Sequence, residues 1–138
     1  MPRTRKIAIS SVTRALNLVG DRWNQLILQE AFRGAAGFEE LRVGTAAPRN
    51  TLSNRLRGLV ANGVMEQRAQ REGGARKAYY LTEMGKDLFD WILLVWSWGI
   101  RWEAAASNGP TALAHTTCGK AMLPVMVCEH CNGRISMH

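Results

Sequence analysis

The chain has 138 residues, 46% of them apolar and 21% charged, with a net charge of +7. That length can bury a real core, about 70% of the unfolded surface for a chain of ~150 residues, and that composition excludes a disordered chain. The charge is uneven: residues 1–80 carry 14 Lys and Arg against 6 Asp and Glu, a net of +8, and residues 81–138 carry 4 against 5, a net of −1. A basic half beside a near-neutral half is the footprint of a polyanion binder. The longest apolar stretch, residues 91–100, is broken by Ser97 and Gly99 and falls short of the ~20 residues that span a bilayer. The basic start leads into no apolar run of the signal-peptide kind. The expectation is therefore a soluble, cytoplasmic protein with no membrane partner.

Residues 1–9 show no period and carry Arg3, Arg5 and Lys6, which reads as a flexible basic arm. Ser10 or Ser11 offers an N-cap for a helix whose Val12, Ala15, Leu16 and Val19 recur at helical spacing up to Gly20. Asp21 caps a second helix, with Trp23, Leu26, Ile27 and Glu30 on one face and Gly34 past its end. Residues 38–43 form a short third helix, stopped by Gly44. Pro48 suits the first turn of a fourth helix, where its missing N–H is not needed. That helix runs to about Asn62 with Leu52, Leu56 and Leu59 as its buried stripe, and Asn62-Gly63 is its stop signal. Residues 64–70 and 76–81 are strand-like, joined by a hairpin loop of Arg71-Glu72-Gly73-Gly74-Ala75. Thr82 caps a long helix from Glu83 to about Ala105, with Leu88, Trp91, Val95, Trp98 and Trp102 on its apolar face. Ser107-Asn108-Gly109-Pro110 is a linker. The expected organisation is an arm over 1–9, a DNA-binding and dimerisation domain over 10–106, and a Cys/His tail over 107–138.

Three helices, a fourth helix and a two-stranded hairpin follow in the order of a winged helix-turn-helix, mainly α with a small β-hairpin. The fourth helix is then the recognition helix that enters the major groove. At about 100° per residue, the face opposite the leucine stripe presents Asn50, Asn54, Arg57 and Ala61, with Ser53 to one side and Thr51 to the other. It carries no acid, and its residue types are those that read base edges: Asn pairs bidentately with adenine, Arg with guanine. Arg49 in the first turn and Arg55 on the flank are placed for phosphates. In the hairpin, Arg71, Arg76 and Lys77 flank a Gly-Gly tip that can lay positive charge along the backbone or minor groove.

Residues 10–99 resemble the HxlR-type branch of bacterial winged-helix regulators. The segments that carry the likeness are Ala15-Leu16-Asn17-Leu18-Val19-Gly20-Asp21-Arg22-Trp23, Phe38-Glu39-Glu40-Leu41, Arg49-Asn50-Thr51-Leu52-Ser53-Asn54-Arg55-Leu56, Asn62-Gly63-Val64 and Tyr79-Tyr80-Leu81-Thr82-Glu83-Met84-Gly85. The resemblance implies a transcriptional regulator, not an enzyme, that dimerises through its first and last helices. Many such regulators have a cysteine near the start of the first helix, in some of them a sensor of oxidants or electrophiles. Here that region reads Ser10-Ser11, which removes a thiol switch at that position.

Trp91, Val95, Trp98 and Trp102 share a face of the last helix, and the simplest reading is core or dimer seam, since aromatics are enriched at interface hot spots. A pocket for an aromatic or cationic small-molecule effector is the alternative, and no further residue supports it. The three His fall in no triad pattern with Ser and Asp.

The three cysteines lie in the tail, as His115-Thr-Thr-Cys118-Gly119 and Cys128-Glu-His-Cys131-Asn-Gly133. Each is a ligand pair with two intervening residues, followed closely by Gly, which lets backbone amides turn toward a thiolate. This is the spacing of a small zinc-ribbon-like tail with a Cys3His site, namely His115, Cys118, Cys128 and Cys131. His130 and His138 are spare donors. Four filled positions imply a closed, structural zinc, and a subset of the resembling regulators has a similar tail. The sequence-level conclusion is a homodimeric, sequence-specific DNA-binding regulator on a pseudo-palindromic operator. The competing readings are a thiol-disulfide protein centred on Cys128 and Cys131, or a zinc-dependent interaction adaptor.

Overall fold

The structure, a computed structural model, describes residues 10–103 and 113–137. The basic arm, the 107–110 linker and the spare donor His138 lie outside the described residues. Along the chain come α1 (Ser11–Val19), α2 (Arg22–Phe32), α3 (Phe38–Thr45), α4 (Arg49–Ala61), β1 (Met65–Ala69), β2 (Lys77–Leu81), α5 (Glu83–Lys86), α6 (Phe89–Glu103), β3 (Leu113–Ala114) and β4 (Ala121–Met122). Contacts divide the chain into two compact units, one ending at Phe89 and one starting at Asp90. No described helix is long and apolar enough to cross a membrane.

Capping chemistry sets the first helices. The Thr13 N–H donates to Ser10 Oγ at 3.1 Å, and the Trp23 and Asn24 N–H groups donate to Asp21 Oδ1 at 2.9 and 3.2 Å. Such caps contribute about 1 kcal/mol each. The buried face of α2 is Asn24, Ile27 and Leu28; of the four residues that share a face by spacing, Ile27 is buried and Trp23, Leu26 and Glu30 are half-buried. α3 also runs past its expected stop. Gly44 is accommodated inside the helix, Thr45 is buried and donates its hydroxyl to Leu41 C=O at 2.7 Å, and Ala46 ends the helix at a left-handed φ of 55°. Pro48 is the N-cap of α4, one position before the expected first turn.

The core of this unit is the meeting of α2, α3 and α4: Ile27, Leu28, Leu41, Leu52 and Leu56 are 0% exposed and Leu59 1%. Each such burial contributes about 1.5–3 kcal/mol. β1 and β2 pair antiparallel from Met65↔Leu81 to Ala69↔Lys77, and the chain before α3 adds a short third rung, with Gly37 bridged to Ala78 and the Tyr79 N–H donating to Ala36 C=O at 2.8 Å.

The single long helix expected after Thr82 is two helices. Thr82 Oγ1 accepts from the Gly85 N–H at 3.1 Å while its hydroxyl bonds back toward Val64. Gly85 lies so close to that segment that a Cβ would sit 2.1 Å from Val64 O. α5 is thus tied to the start of β1 and closes with a tighter turn, the Leu88 N–H donating to Gly85 C=O at 3.1 Å. α6 restarts at Phe89, whose ring meets Phe32 edge-on with centroids 5.2 Å apart.

In the second unit, α6 carries the aromatic stripe. Val95, Trp98 and Trp102 are exposed, and Ser97 is buried with its hydroxyl on Leu94 C=O at 2.9 Å. β3 and β4 pair through Leu113↔Met122 and Ala114↔Ala121, and a second small hairpin is closed by the Val127↔Arg134 bridge. No residue from 113 to 137 is buried.

Candidate nucleic-acid interface

The buried leucines fix the rotation of α4, and that rotation decides which side chains reach solvent. Asn50, Asn54 and Arg57 are exposed, with Thr51 and Ser53 half-buried on the flanks. Among the described residues none of these five makes a side-chain hydrogen bond or ion pair, so their donors and acceptors are free to meet a ligand. The spacing of Asn50, Asn54 and Arg57 places them on successive turns of one face.

Arg49 and Arg55 are placed differently. Arg49 pairs with Glu39 of α3 and lies over the Phe38 ring, 5.7 Å from its centroid. Arg55 pairs with Asp21, the N-cap of α2, at 3.2 Å. Glu39 also accepts from Arg42 at 2.8 Å. The Arg42 hydrogen bond, followed by the charges of Arg42 and Arg49, holds the Glu39 carboxyl below the ordinary carboxylate range. These two pairs fasten both flanks of α4 to the preceding helices while leaving the central face open. The short-range pair Glu39–Arg42 is visible in sequence as an i,i+3 spacing. The longer pairs depend on the α3–α4 turn and on the α2 cap, which no local pattern reveals.

In the hairpin, Arg71, Arg76 and Lys77 are exposed and unpaired among the described residues. The loop is closed by the Gln70 N–H on Arg76 C=O at 2.8 Å and the Gly74 N–H on Arg71 C=O at 2.9 Å. Arg68, by contrast, stacks on Tyr80 at 4.0 Å and pairs with Glu66 at 3.0 Å, so its charge is engaged within the sheet. A shallow concavity lined by Phe38, Glu39, Gln70, Arg76 and Lys77 joins the start of α3 to the base of the wing. Gln70 is a polar group of this surface that no local sequence pattern singles out.

The tail donors form two separate pairs. Cys118 Sγ lies 3.5 Å from His115 Nδ1. Cys128 sits beside Cys131, and its thiol is held below the ordinary thiol value by the backbone N–H of Cys131, then that of His130, then the Cys131 side chain. Among the described residues no three His, Cys, Asp or Glu side chains are gathered closely enough to hold one metal ion. His130 is exposed and 3.5 Å from Glu129.

Comparison with known proteins gives a consistent picture. Residues 18–107 match the family model described as HxlR-like helix-turn-helix. An uncharacterised HTH-type transcriptional regulator of Mycobacterium tuberculosis is 42% identical over 126 residues, covering 91% of this chain and 80% of the relative. Among solved structures, PA1607, a candidate transcription factor, superposes with a TM-score of 0.81 at 29% identity, over 95% of this chain and 92% of its own. The reduced form of the redox regulator HypR superposes with a TM-score of 0.61 at 25% identity, over 71% of this chain and all of its own.

Proposed function

The chain belongs to the HxlR-like helix-turn-helix family of transcriptional regulators, not of enzymes, and on that premise we propose that it works in the cytoplasm as a homodimer that reads a pseudo-palindromic operator. The observation that carries this reading is the exposed, acid-free face of α4 at Asn50, Asn54 and Arg57, whose side chains are unpaired among the described residues. Arg57 donates to a guanine edge and the two asparagines pair with bases in the major groove. Arg49 and Arg55, held at the flanks by Glu39 and Asp21, rest near where phosphates of the groove walls pass. Arg71, Arg76 and Lys77 add sequence-independent attraction from the wing.

Dimerisation rests on two exposed apolar faces. Val12 and Leu16 of α1 are 68% and 49% exposed, and Val95, Trp98 and Trp102 of α6 are 51%, 59% and 67% exposed. Aliphatic and aromatic side chains in such number are covered in a stable protein, and a second copy supplies the same surfaces in return through a two-fold axis. Two recognition helices related by that axis reach half-sites about 34–36 Å apart, one helical turn of DNA.

The test is selection of duplexes from a random-sequence pool by the full chain. The expected product is a motif with two-fold symmetry, bound by two protomers and less sharply selected by Arg57→Ala. Enrichment of no motif, or of an asymmetric motif bound by one protomer, would overturn the reading.

A further inference from the structure

The tail is built from two copies of one turn. In the first, the His115 N–H donates to Lys120 C=O at 2.9 Å and the Gly119 N–H to His115 C=O at 2.7 Å. In the second, the Cys128 N–H donates to Gly133 C=O at 2.9 Å and the Asn132 N–H to Cys128 C=O at 2.8 Å. The fifth residue of each turn is left-handed, Gly119 at φ 69° and Asn132 at φ 55°. Each turn is closed at its base by an antiparallel pair, Ala114↔Ala121 in one and Val127↔Arg134 in the other. In this register His115 is the counterpart of Cys128, and Cys118 the counterpart of Cys131.

The equivalence bears on chemistry. A turn selected to hold a Cys128–Cys131 disulfide has no reason to be repeated with histidine in one of the two sulfur positions. A turn selected to present two metal ligands does, since imidazole and thiolate are interchangeable at a soft tetrahedral ion. Backbone donors at the second turn suit thiolates: the Gly133 N–H points at Cys131 Sγ at 3.4 Å. Three thiols and one imidazole select zinc over the oxygen-seeking cations.

The packing points the same way. Between residues 113 and 137 nothing is buried, and Leu123, Val125, Met126, Val127 and Ile135 are between 42% and 56% exposed. Isolated two-stranded hairpins are marginal in water, and segments this short are ordinarily held by metals or disulfides. Each two-donor turn offers half of a tetrahedral ligand set; the two pairs stand apart in the structure, and an ion that drew them together would supply the cross-link that the missing core does not.

We propose that His115, Cys118, Cys128 and Cys131 close around one Zn2+ per chain, joining the two turns as a structural zinc ribbon. The three thiols bind as thiolates and release their protons to solvent, and the imidazole binds neutral. With four protein ligands no position stays open for water, so the ion is structural and does no hydrolysis.

The test uses the full chain, purified under reducing conditions without added zinc. Metal analysis is expected to give one zinc per chain. Protein stripped of metal and titrated with Co2+ is expected to show tetrahedral d–d bands and a thiolate-to-metal charge-transfer band that saturate at one equivalent. Cys118→Ser and His115→Ala each weaken or alter that spectrum, while His130→Ala leaves it unchanged. Absence of zinc together with a Co2+ spectrum lacking thiolate charge transfer would overturn the site. So would a Cys128–Cys131 disulfide trapped by rapid acid quench of fresh cells. Loss of the spectrum in His130→Ala with full retention in His115→Ala would overturn the ligand set.

Discussion

The unit ending at Phe89 and the 113–137 tail solve the problem of stability by opposite means. In the first, Ile27, Leu28, Leu41, Leu52 and Leu56 are wholly removed from water, and only a few polar side chains, Asn24 and Thr45 among them, are buried with them. In the second, no side chain is buried, and order comes from two turns with matching backbone hydrogen bonds and ligand-type side chains at matching positions. One region therefore depends on shape and apolar area, the other on the geometry of a few polar atoms. Substitutions should separate them.

The largest effect is expected in the core. Leu56→Ala removes a side chain that is 0% exposed, and about 2–5 kcal/mol of unfolding free energy should go with it. Denaturant unfolding measures that loss. Metal stoichiometry of the folded fraction should not change, and a change would show that the tail leans on the core. Next comes the seam: Trp98→Glu places charge on the exposed stripe of α6, and sedimentation should show monomers where the parent is dimeric. A parent that is monomeric at micromolar concentration would remove the seam from the account.

Smaller effects belong to the wing. Arg76→Ala with Lys77→Ala should weaken all duplexes alike and flatten the salt dependence by about one unit for every phosphate no longer neutralised. An unchanged slope would take the wing off the DNA. The smallest concerns Glu39, whose carboxyl is depressed first by the Arg42 hydrogen bond and then by the neighbouring charges. A depressed carboxyl stabilises above its unfolded value, and that contribution disappears as pH falls through the folded value. Because Glu39 is exposed, the stability change with acid should be slight. Glu39→Gln frees Arg49 at neutral pH and should raise non-specific DNA affinity a few-fold, with a steeper salt slope. Unchanged affinity would mean that Arg49 does not reach phosphate.

Much of the first unit was legible because burial leaves a period. The stripe of Leu52, Leu56 and Leu59, the caps at Ser10 and Asp21, and the hairpin to within a residue are all readable from spacing. What escaped depends on groups distant in the chain. The break between α5 and α6 leaves no mark in the apolar pattern, since it is caused by Thr82 and Gly85 pressing on the start of β1. The Ala36–Gly37 rung on β2 has no strand signature of its own. The partners of Arg49 and Arg55 sit on other helices. In the tail, spacing revealed the ligand pairs and the glycine whose amide turns toward Cys131, but not the backbone register, in which Gly119 is equivalent to Asn132 and Lys120 to Gly133.

The central claim is that α4 reads base edges through its unpaired face. The most direct measurement is equilibrium binding of the parent and of Arg57→Ala to the selected operator and to an unrelated duplex at fixed salt. The account predicts a loss of about 1–3 kcal/mol, roughly 5- to 150-fold, at the operator, with a much smaller change on unrelated DNA. Equal affinities of the two folded proteins for the operator, or an equal loss on both duplexes, would contradict it.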